Sequence, residues 1–139
     1  MILLRPVLSS ATAMALVQSA VAHAQTLGIG IAVAVVDAGG AVQAMWRMDD
    51  VAPVVADFAL DKAMTARMLK SATAALGERM EVSASFRHGL ASRPRMLAWG
   101  GGLPILHEGL VIGGIGVSGA KDTDDIACAE AALRAAGLV

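Results

Sequence analysis

Aromatic residues are almost absent from this chain: they make up 3% of its 139 residues, and none is a tyrosine. Hydrophobic residues still make up 56% of the sequence, so the core must be built from Ala, Val, Leu, Ile and Met. The chain also has no excess of positive charge. Its formal net charge is −1, so it lacks the basic footprint expected of a protein that binds nucleic acid. A small chain this apolar often hides part of its surface in an oligomer.

Cysteine and long apolar runs are also scarce. The single cysteine, Cys128, excludes an internal disulfide framework and agrees with a reducing compartment. It lies in an Ala-rich helical pattern, which predicts a small buried residue rather than a nucleophile. The sequence has no uninterrupted apolar run of roughly 18 residues, so we expect no membrane span. The length fits one domain over residues 1–139.

The N-terminus permits two interpretations. Arg5, an apolar stretch and the sequence Ala22-His23-Ala24 imitate a secretory signal with its cleavage site. The alternative is a first helix that begins near Ser9 or Ser10 and ends at Gly28. We favour the helix and a cytoplasmic location, because cleavage after Ala24 would remove the helix that should cover the strand directly after it. Apolar residues recur at helical spacing through this segment at Leu8, Ala11, Met14, Val17, Val21 and Ala24.

Apolar and turn patterns predict the rest of the fold. Residues 29–36 are apolar on both faces, which is typical of a central strand covered on both sides. A turn signal at residues 37–40 leads into a returning strand at residues 41–48. Further strands are predicted at residues 96–99, 103–106 and 110–118, and helices at 54–69, from Ser71 past Leu76, within 82–94 and from Asp122 or Thr123 to Ala136. The prediction is an α/β (α+β) fold with a five-stranded, mainly antiparallel sheet between helical layers.

Two glycine-rich segments lie beside the last predicted strands, at residues 100–105 and 111–119. Glycine weakens a strand, so it is usually kept where a backbone or a ligand comes close. The segments therefore indicate either a shallow ligand cradle or tight packing on the sheet. No phosphate-loop pattern completes them.

Several blocks of sequence, taken in order, resemble the GlcG/HbpS family, which is also called haem-degrading or haem-binding and includes the C-terminal domain of PduO-type proteins. The blocks are residues 34–40, 47–49, 62–66, 101–105, 113–119 and 124–127. The resemblance implies a profilin-like three-layer α/β/α fold and assembly into dimers, tetramers or octamers. It further implies binding of haem or a related tetrapyrrole, or a role beside catabolic operons. The chain has no Cys-His haem attachment motif, so we expect any haem to be bound non-covalently.

Within these blocks, Arg47 and Lys62 are the cations that would hold a carboxylate or a haem propionate. The alternative for both is an ion pair with a nearby aspartate. Backbone donors around the glycines would complete an anion site. The candidate ligand-binding residues are Arg47, Lys62, Gly101, Gly102, Pro104, Ser118 and Gly119. The candidate ion-pair partners are Asp37, Asp49, Asp57 and Asp61.

The three histidines lack the short spacing of a dedicated metal site. His88 and His23 are the candidate haem-iron ligands, whereas His107 is interpreted as a solvated turn residue. Core packing is the default for Met, but a thioether is also a soft iron ligand. The candidate soft ligands are Met48, Met64 and Met96.

Two further functions compete with haem binding. A small enzyme would use Asp37, His88 or Glu78 as a general base, with Arg47 orienting an organic acid. Its reaction would be a proton transfer, as in an isomerase, hydratase or deaminase. The other alternative is a structural or regulatory oligomer without a ligand.

Overall fold

Four strands form the sheet in the computed structural model, which describes residues 1–138. They are β1 (Ala32–Asp37), β2 (Val42–Arg47), β3 (Gly102–His107) and β4 (Leu110–Ser118). Every pairing between them is antiparallel, and their order across the sheet is β2-β1-β4-β3. The helices are α1 (Ser10–Leu27), α2 (Pro53–Leu69), α3 (Thr73–Val82), α4 (Ala84–Ala91) and α5 (Asp122–Ala135). The α+β prediction and the central place of β1 are confirmed.

The predicted fifth strand at residues 96–99 does not form, so the five-stranded sheet was wrong. The Leu97 N–H donates to Thr65 Oγ1 at 3.0 Å, and the Trp99 carbonyl accepts from Thr73 Oγ1 at 2.6 Å. Side chains of α2 and α3 thus satisfy backbone groups that a strand would have offered to a neighbouring strand. The segment lies against these helices and leads into β3.

The helix predicted at the N-terminus is confirmed as α1. The Ser9 hydroxyl accepts from the Thr12 N–H at 3.1 Å, and Gly28 ends the helix with a left-handed backbone. One face of α1 is buried in the core through Ala13, Leu16, Val17, Ala20, Val21 and Ala24. Within residues 1–138, no helix has the length and apolar character needed to cross a bilayer.

The two faces of the sheet carry different helices. Val33 and Val35 point into a large core cluster with α1 and α5, whereas Ala32, Ala34 and Val36 pack with Ala59 and Ala63 of α2. Alternation along β1 explains the division, because successive strand residues point to opposite faces. The sheet is therefore the middle of three layers.

Helix α2 lies unusually close to β4. A Cβ placed at Gly116 would overlap the carbonyl oxygen of Ala59, and one at Gly114 would overlap that of Ala63. Glycine at these positions lets the helix backbone rest directly on the strand. Tight packing is therefore the structural role of these two glycines.

Candidate functional site

Lys62 and Asp125 form an ion pair in the interior, where each residue is 1% exposed. The ammonium nitrogen of Lys62 lies 3.2 Å from Asp125 Oδ2 and donates to the Val117 carbonyl at 2.9 Å. The other carboxylate oxygen of Asp125 accepts from the Ala120 N–H at 3.1 Å. The pair joins α2, on one face of the sheet, to α5, on the other.

Gly101 packs directly against this ion pair. Its φ of 125° is a conformation that side chains rarely allow. A Cβ there would overlap the Val117 carbonyl and lie 3.1 Å from the Lys62 ammonium nitrogen. The glycine loop therefore closes over the buried charges.

Burial controls the acid chemistry of this region. Burial raises the pKa of Asp125 from 3.8 to about 6, although Lys62 and the Ala120 N–H both lower it. Burial and the nearby Asp125 raise the pKa of the Cys128 thiol to about 11. The thiol stays protonated at neutral pH, and Cys128 is buried as the sequence predicted.

Some of the predicted ligand residues do meet. Lys62, Gly101 and Gly102 lie together in one chain, and the Gly102 N–H donates to Thr73 Oγ1 at 2.9 Å. The aspartates predicted as partners of Lys62 were wrong, because its partner is Asp125. That the cluster binds a ligand stays a prediction.

The other predicted polar residues are spread along the sheet. Arg47 is exposed at the end of β2 and donates to the Val51 carbonyl at 2.5 Å. Asp37 ends β1, where its Oδ1 accepts from the N–H groups of Gly39 and Ala41 at 2.8 and 3.0 Å. The turn prediction for residues 37–40 is confirmed by these bonds.

Strand register places three more predicted residues. Ser118 and Arg47 both pair with Ala32, on opposite sides of β1, so they share one row of the sheet. Pro104 pairs with Gly114 between β3 and β4. Gly119 follows β4 with a φ of 122°.

The predicted iron ligands lie on separate surfaces. His23 is half-buried on α1, whereas His88 is exposed on α4. His107, which was interpreted as a solvated turn residue, is exposed at the end of β3. Glu78 is exposed on α3. In the part of the chain that the structure describes, no three His, Cys, Asp or Glu side chains converge to hold a metal ion.

A groove rich in methionine runs between α2, α4 and the segment before β3. It consists of two adjoining cavities of about 430 and 380 Å³, which share Met68, Arg93 and Met96. We call this pair of cavities the methionine groove. The first cavity is lined by Met68, Leu69, Ser85, Phe86, Gly89, Leu90, Arg93 and Met96, and the second by Met64, Met68, Arg93, Pro94, Arg95 and Met96.

Two of the three predicted soft ligands, Met64 and Met96, therefore line one groove. The third, Met48, packs against the core on the opposite face, where its sulfur accepts from the Ile31 N–H at 3.4 Å. Met96 Sδ lies 3.7 Å from the Thr65 hydroxyl. Arg95 pairs with Asp61 at 3.3 Å, at the edge of the groove.

Sequence reasoning missed Met68, Phe86 and Arg93. Residues 82–94 read only as a short helix and a loop, although Ser83 caps the helix by accepting from the Phe86 N–H at 3.2 Å. The serine and the helical spacing of Phe86, Leu90 and Arg93 were the available signals.

These features define a small α+β protein with helices on both faces of a four-stranded antiparallel sheet. The model of the family described as "Haem degrading protein HbpS-like" matches residues 8–134. The chain therefore belongs to the HbpS-like family, which confirms the resemblance drawn from the sequence.

Two relatives of this chain differ in how much of their own length it covers. The corrinoid adenosyltransferase PduO of Citrobacter freundii is 35% identical over 122 residues, and the match covers 86% of this chain but 36% of PduO, so the chain spans about a third of that relative. The GlcG protein of Escherichia coli K12 is 32% identical over 112 residues, which is 81% of each protein. Among solved structures, a complex of PduOC with haem has a TM-score of 0.86 and 32% identity, covering 94% of this chain and 95% of that one.

Proposed function

We propose that this protein binds haem or a related tetrapyrrole non-covalently, in the methionine groove. The observation that carries the proposal is the meeting of Met64, Met68 and Met96 with Arg93 in two adjoining apolar cavities. Thioethers are soft ligands that haem iron accepts. The solved haem complex of a neighbour with 32% identity supports the same ligand class.

The chemistry of the groove suits a flat, amphipathic ligand. Phe86 and Leu90 offer apolar contact, and together the cavities fall within the size range of small-molecule sites. Arg93 and Arg95 lie at one side, where a guanidinium can pair with a propionate carboxylate. Arg95 would exchange its exposed ion pair with Asp61 for that contact. Bound haem would supply the iron, while this chain would provide a thioether ligand and the cations that orient the carboxylates.

The test is a haem titration of the purified protein followed by absorbance. We expect a saturable Soret shift at about one haem per chain, and we expect the spectrum to change in Met64→Leu, Met68→Leu or Met96→Leu, since leucine preserves volume but not the sulfur. Met14→Leu, an exposed methionine on α1, is the matched control.

His88→Ala and His23→Ala decide between thioether and imidazole ligands. Neither histidine lines the groove among the described residues, so both variants should bind haem normally. Loss of the Soret shift in one of them would make that histidine the iron ligand and reject the methionine assignment. A featureless, non-saturating response of the wild type would reject haem binding altogether.

The enzyme alternative receives less support from the geometry. Arg47 pairs with Ala32 at the start of β1, whereas Asp37 ends that strand. Five residue-to-residue steps along the strand separate these positions by roughly 17 Å, which is too far for one small acid to touch both. Proton transfer by Asp37 with Arg47 is therefore not the function we propose.

Exposed apolar side chains support self-association of this protein. Trp46, Trp99 and Val82 are 43%, 52% and 87% exposed, and burying them between copies would remove apolar surface from water. We expect a homo-oligomer in a cytoplasmic protein. Sedimentation velocity at several concentrations tests this, and a monomer throughout would contradict it.

A further inference from the structure

A third cavity, distinct from the methionine groove, gathers three cationic side chains. Its volume is about 400 Å³, and it lies where the N-terminal residues, the β1–β2 turn, the end of α2 and the start of β4 meet. Arg5, Arg67 and Lys70 line it, and we call it the cationic pocket. Its remaining lining residues are Leu3, Leu4, Pro6, Ala38, Leu110, Val111 and Ile112.

The guanidinium of Arg67 is held in place. Its Nε donates to the Ala38 carbonyl in the turn after β1. The helix backbone at Arg67 also lies close to β4, since a Cβ placed at Gly114 would be 3.0 Å from the Arg67 Cβ. An arginine anchored through Nε still presents its two terminal nitrogens, the fork that binds carboxylate or phosphate oxygens.

The positive charge of the pocket is not balanced within residues 1–138. No ion pair there includes Arg5, Arg67 or Lys70, and no lining residue is acidic. Asp37 precedes Ala38, but among the described residues it forms no ion pair with these cations, and its Oδ1 accepts from the N–H groups of the turn. Three cations thus face one cavity in a chain whose net charge is −1.

The end of α2 explains only part of this arrangement. Cations in a last helical turn are favoured by the helix dipole, which accounts for Arg67 and Lys70. It does not account for Arg5, which comes from the other end of the chain, or for walls of leucine, valine and isoleucine. Apolar walls with a few convergent polar groups are typical of small-molecule sites.

We propose that the cationic pocket binds a small organic acid: a carboxylate on an apolar body, with the charge on Arg67 and Lys70 and the body against Leu110 and Ile112. A phosphate monoester with the same body shares this chemistry. The inference is independent of haem binding, because the cationic pocket and the methionine groove share no lining residue.

Calorimetric titration with matched probes tests the proposal. We expect octanoate to bind saturably at one per chain, about tenfold or more tighter than acetate, because only octanoate has an apolar body. Octan-1-ol has the body without the charge and should bind at least tenfold more weakly than octanoate. Tighter binding of octyl phosphate than of octanoate would assign the pocket to phosphate esters and reject the carboxylate.

Charge-removing variants locate the site. Arg67→Gln keeps a donor for the Ala38 carbonyl but removes the fork, so octanoate affinity should fall about tenfold or more. The matched control is Arg87→Gln, because exposed Arg87 also donates to a backbone carbonyl, that of Met80, at 2.9 Å. If Arg67→Gln fails to fold, Lys70→Gln and Arg5→Gln, both at exposed positions, replace it.

Three results would overturn the proposal: octan-1-ol binding as tightly as octanoate, octanoate affinity unchanged in all three variants, or an equal loss in Arg87→Gln. Haem titration of Arg67→Gln is the independent arm. An unchanged Soret titration beside weakened octanoate binding supports two separate sites. A joint loss in this folded variant would reject the separation.

Discussion

The two faces of the sheet are packed in different ways. Towards α1 and α5, branched side chains such as Leu16, Val33 and Ile115 fill the space between the layers. Towards α2, Ala59 and Ala63 meet Gly116 and its neighbours, so backbone lies nearly on backbone. Large side chains fill the space on one face, whereas small residues on the other face let the helix and strand backbones come into contact.

The helices on the two faces also differ in whether they line the cavities. Helix α2 buries its small residues against the sheet, and its outer surface contributes to both the methionine groove and the cationic pocket. Helices α1 and α5 each bury one face in the core, and among the described residues neither helix lines the cationic pocket or the methionine groove. The buried ion pair of Lys62 and Asp125 links the two layers.

Breaking that link should have the largest effect. Lys62→Met leaves Asp125 buried without its cation, and we expect a loss of about 4 kcal/mol in the free energy of unfolding at pH 8. Part of the loss should be recovered at pH 5, because burial raises the pKa of Asp125 and Lys62 no longer lowers it, so the carboxyl takes up a proton. Urea denaturation at both pH values measures this.

The matched control for that experiment is Lys70→Met, an exposed lysine just past the end of α2, which should change stability by less than about 0.5 kcal/mol. An equal penalty for Lys62→Met at pH 8 and pH 5 would contradict the role of Asp125.

The second largest effect concerns the pH dependence of the stability that Asp125 contributes. Its pKa is higher in the folded chain than the ordinary 3.8, so the native state binds more protons than the unfolded state between pH 4 and 6. The stability that Asp125 contributes is therefore full below about pH 3.8 and is lost as the pH rises through 6. A difference of roughly two pKa units corresponds to about 3 kcal/mol.

Asparagine cannot titrate. Between pH 4 and pH 7.5, the free energy of unfolding of Asp125→Asn should therefore rise relative to that of wild type by up to about 3 kcal/mol. The exposed Asp57→Asn on α2 serves as control. A fall in the relative free energy of unfolding over this pH range would mean that Lys62 lowers the pKa of Asp125 more than burial raises it.

A smaller effect tests the close approach of α2. Gly116→Ala adds one carbon where the Ala59 carbonyl already lies, and we expect a loss of about 2 kcal/mol. Gly89→Ala on α4, where a Cβ meets no atom within 4 Å, should instead gain about 0.5 kcal/mol. Thermal unfolding of both variants measures the contrast, and equal values would refute the close approach.

The smallest expected effect concerns the helix starts on the two faces. Helix α1 has a side-chain cap from Ser9, whereas α2 begins at Ala52 and Pro53 without one. Ser9→Ala should cost about 1 kcal/mol, and Ala52→Ser should gain up to about 1 kcal/mol. Melting temperatures that move in the same direction would contradict this account.

Local patterns were sufficient for much of the fold. The run at residues 29–36 indicated a central strand, and Asp37 with its glycines indicated the turn, since both signals involve residues that are close in the chain. The strand prediction for residues 96–99 was wrong because their apolar pattern suits a strand, whereas the hydroxyls of Thr65 and Thr73 form hydrogen bonds with the backbone of this segment. Those threonines lie about thirty positions away, beyond any local pattern.

The candidate sites were less accessible to sequence reasoning. Lys62 was recognised as notable, but its partner Asp125 is 63 residues further along the chain. Met64 and Met96 were singled out by type, while the groove that unites them also depends on α4. Neither Arg67 nor Arg5 carries a local signal of the cationic pocket.

Composition and neighbours along the chain are enough to establish the small-residue core, the strand and helix periods and the lack of an internal disulfide. The tertiary structure alone decided which cations are buried in an ion pair and which face a cavity. It did so because burial, pairing and pKa depend on which distant surfaces meet when α2 and α5 close on the sheet.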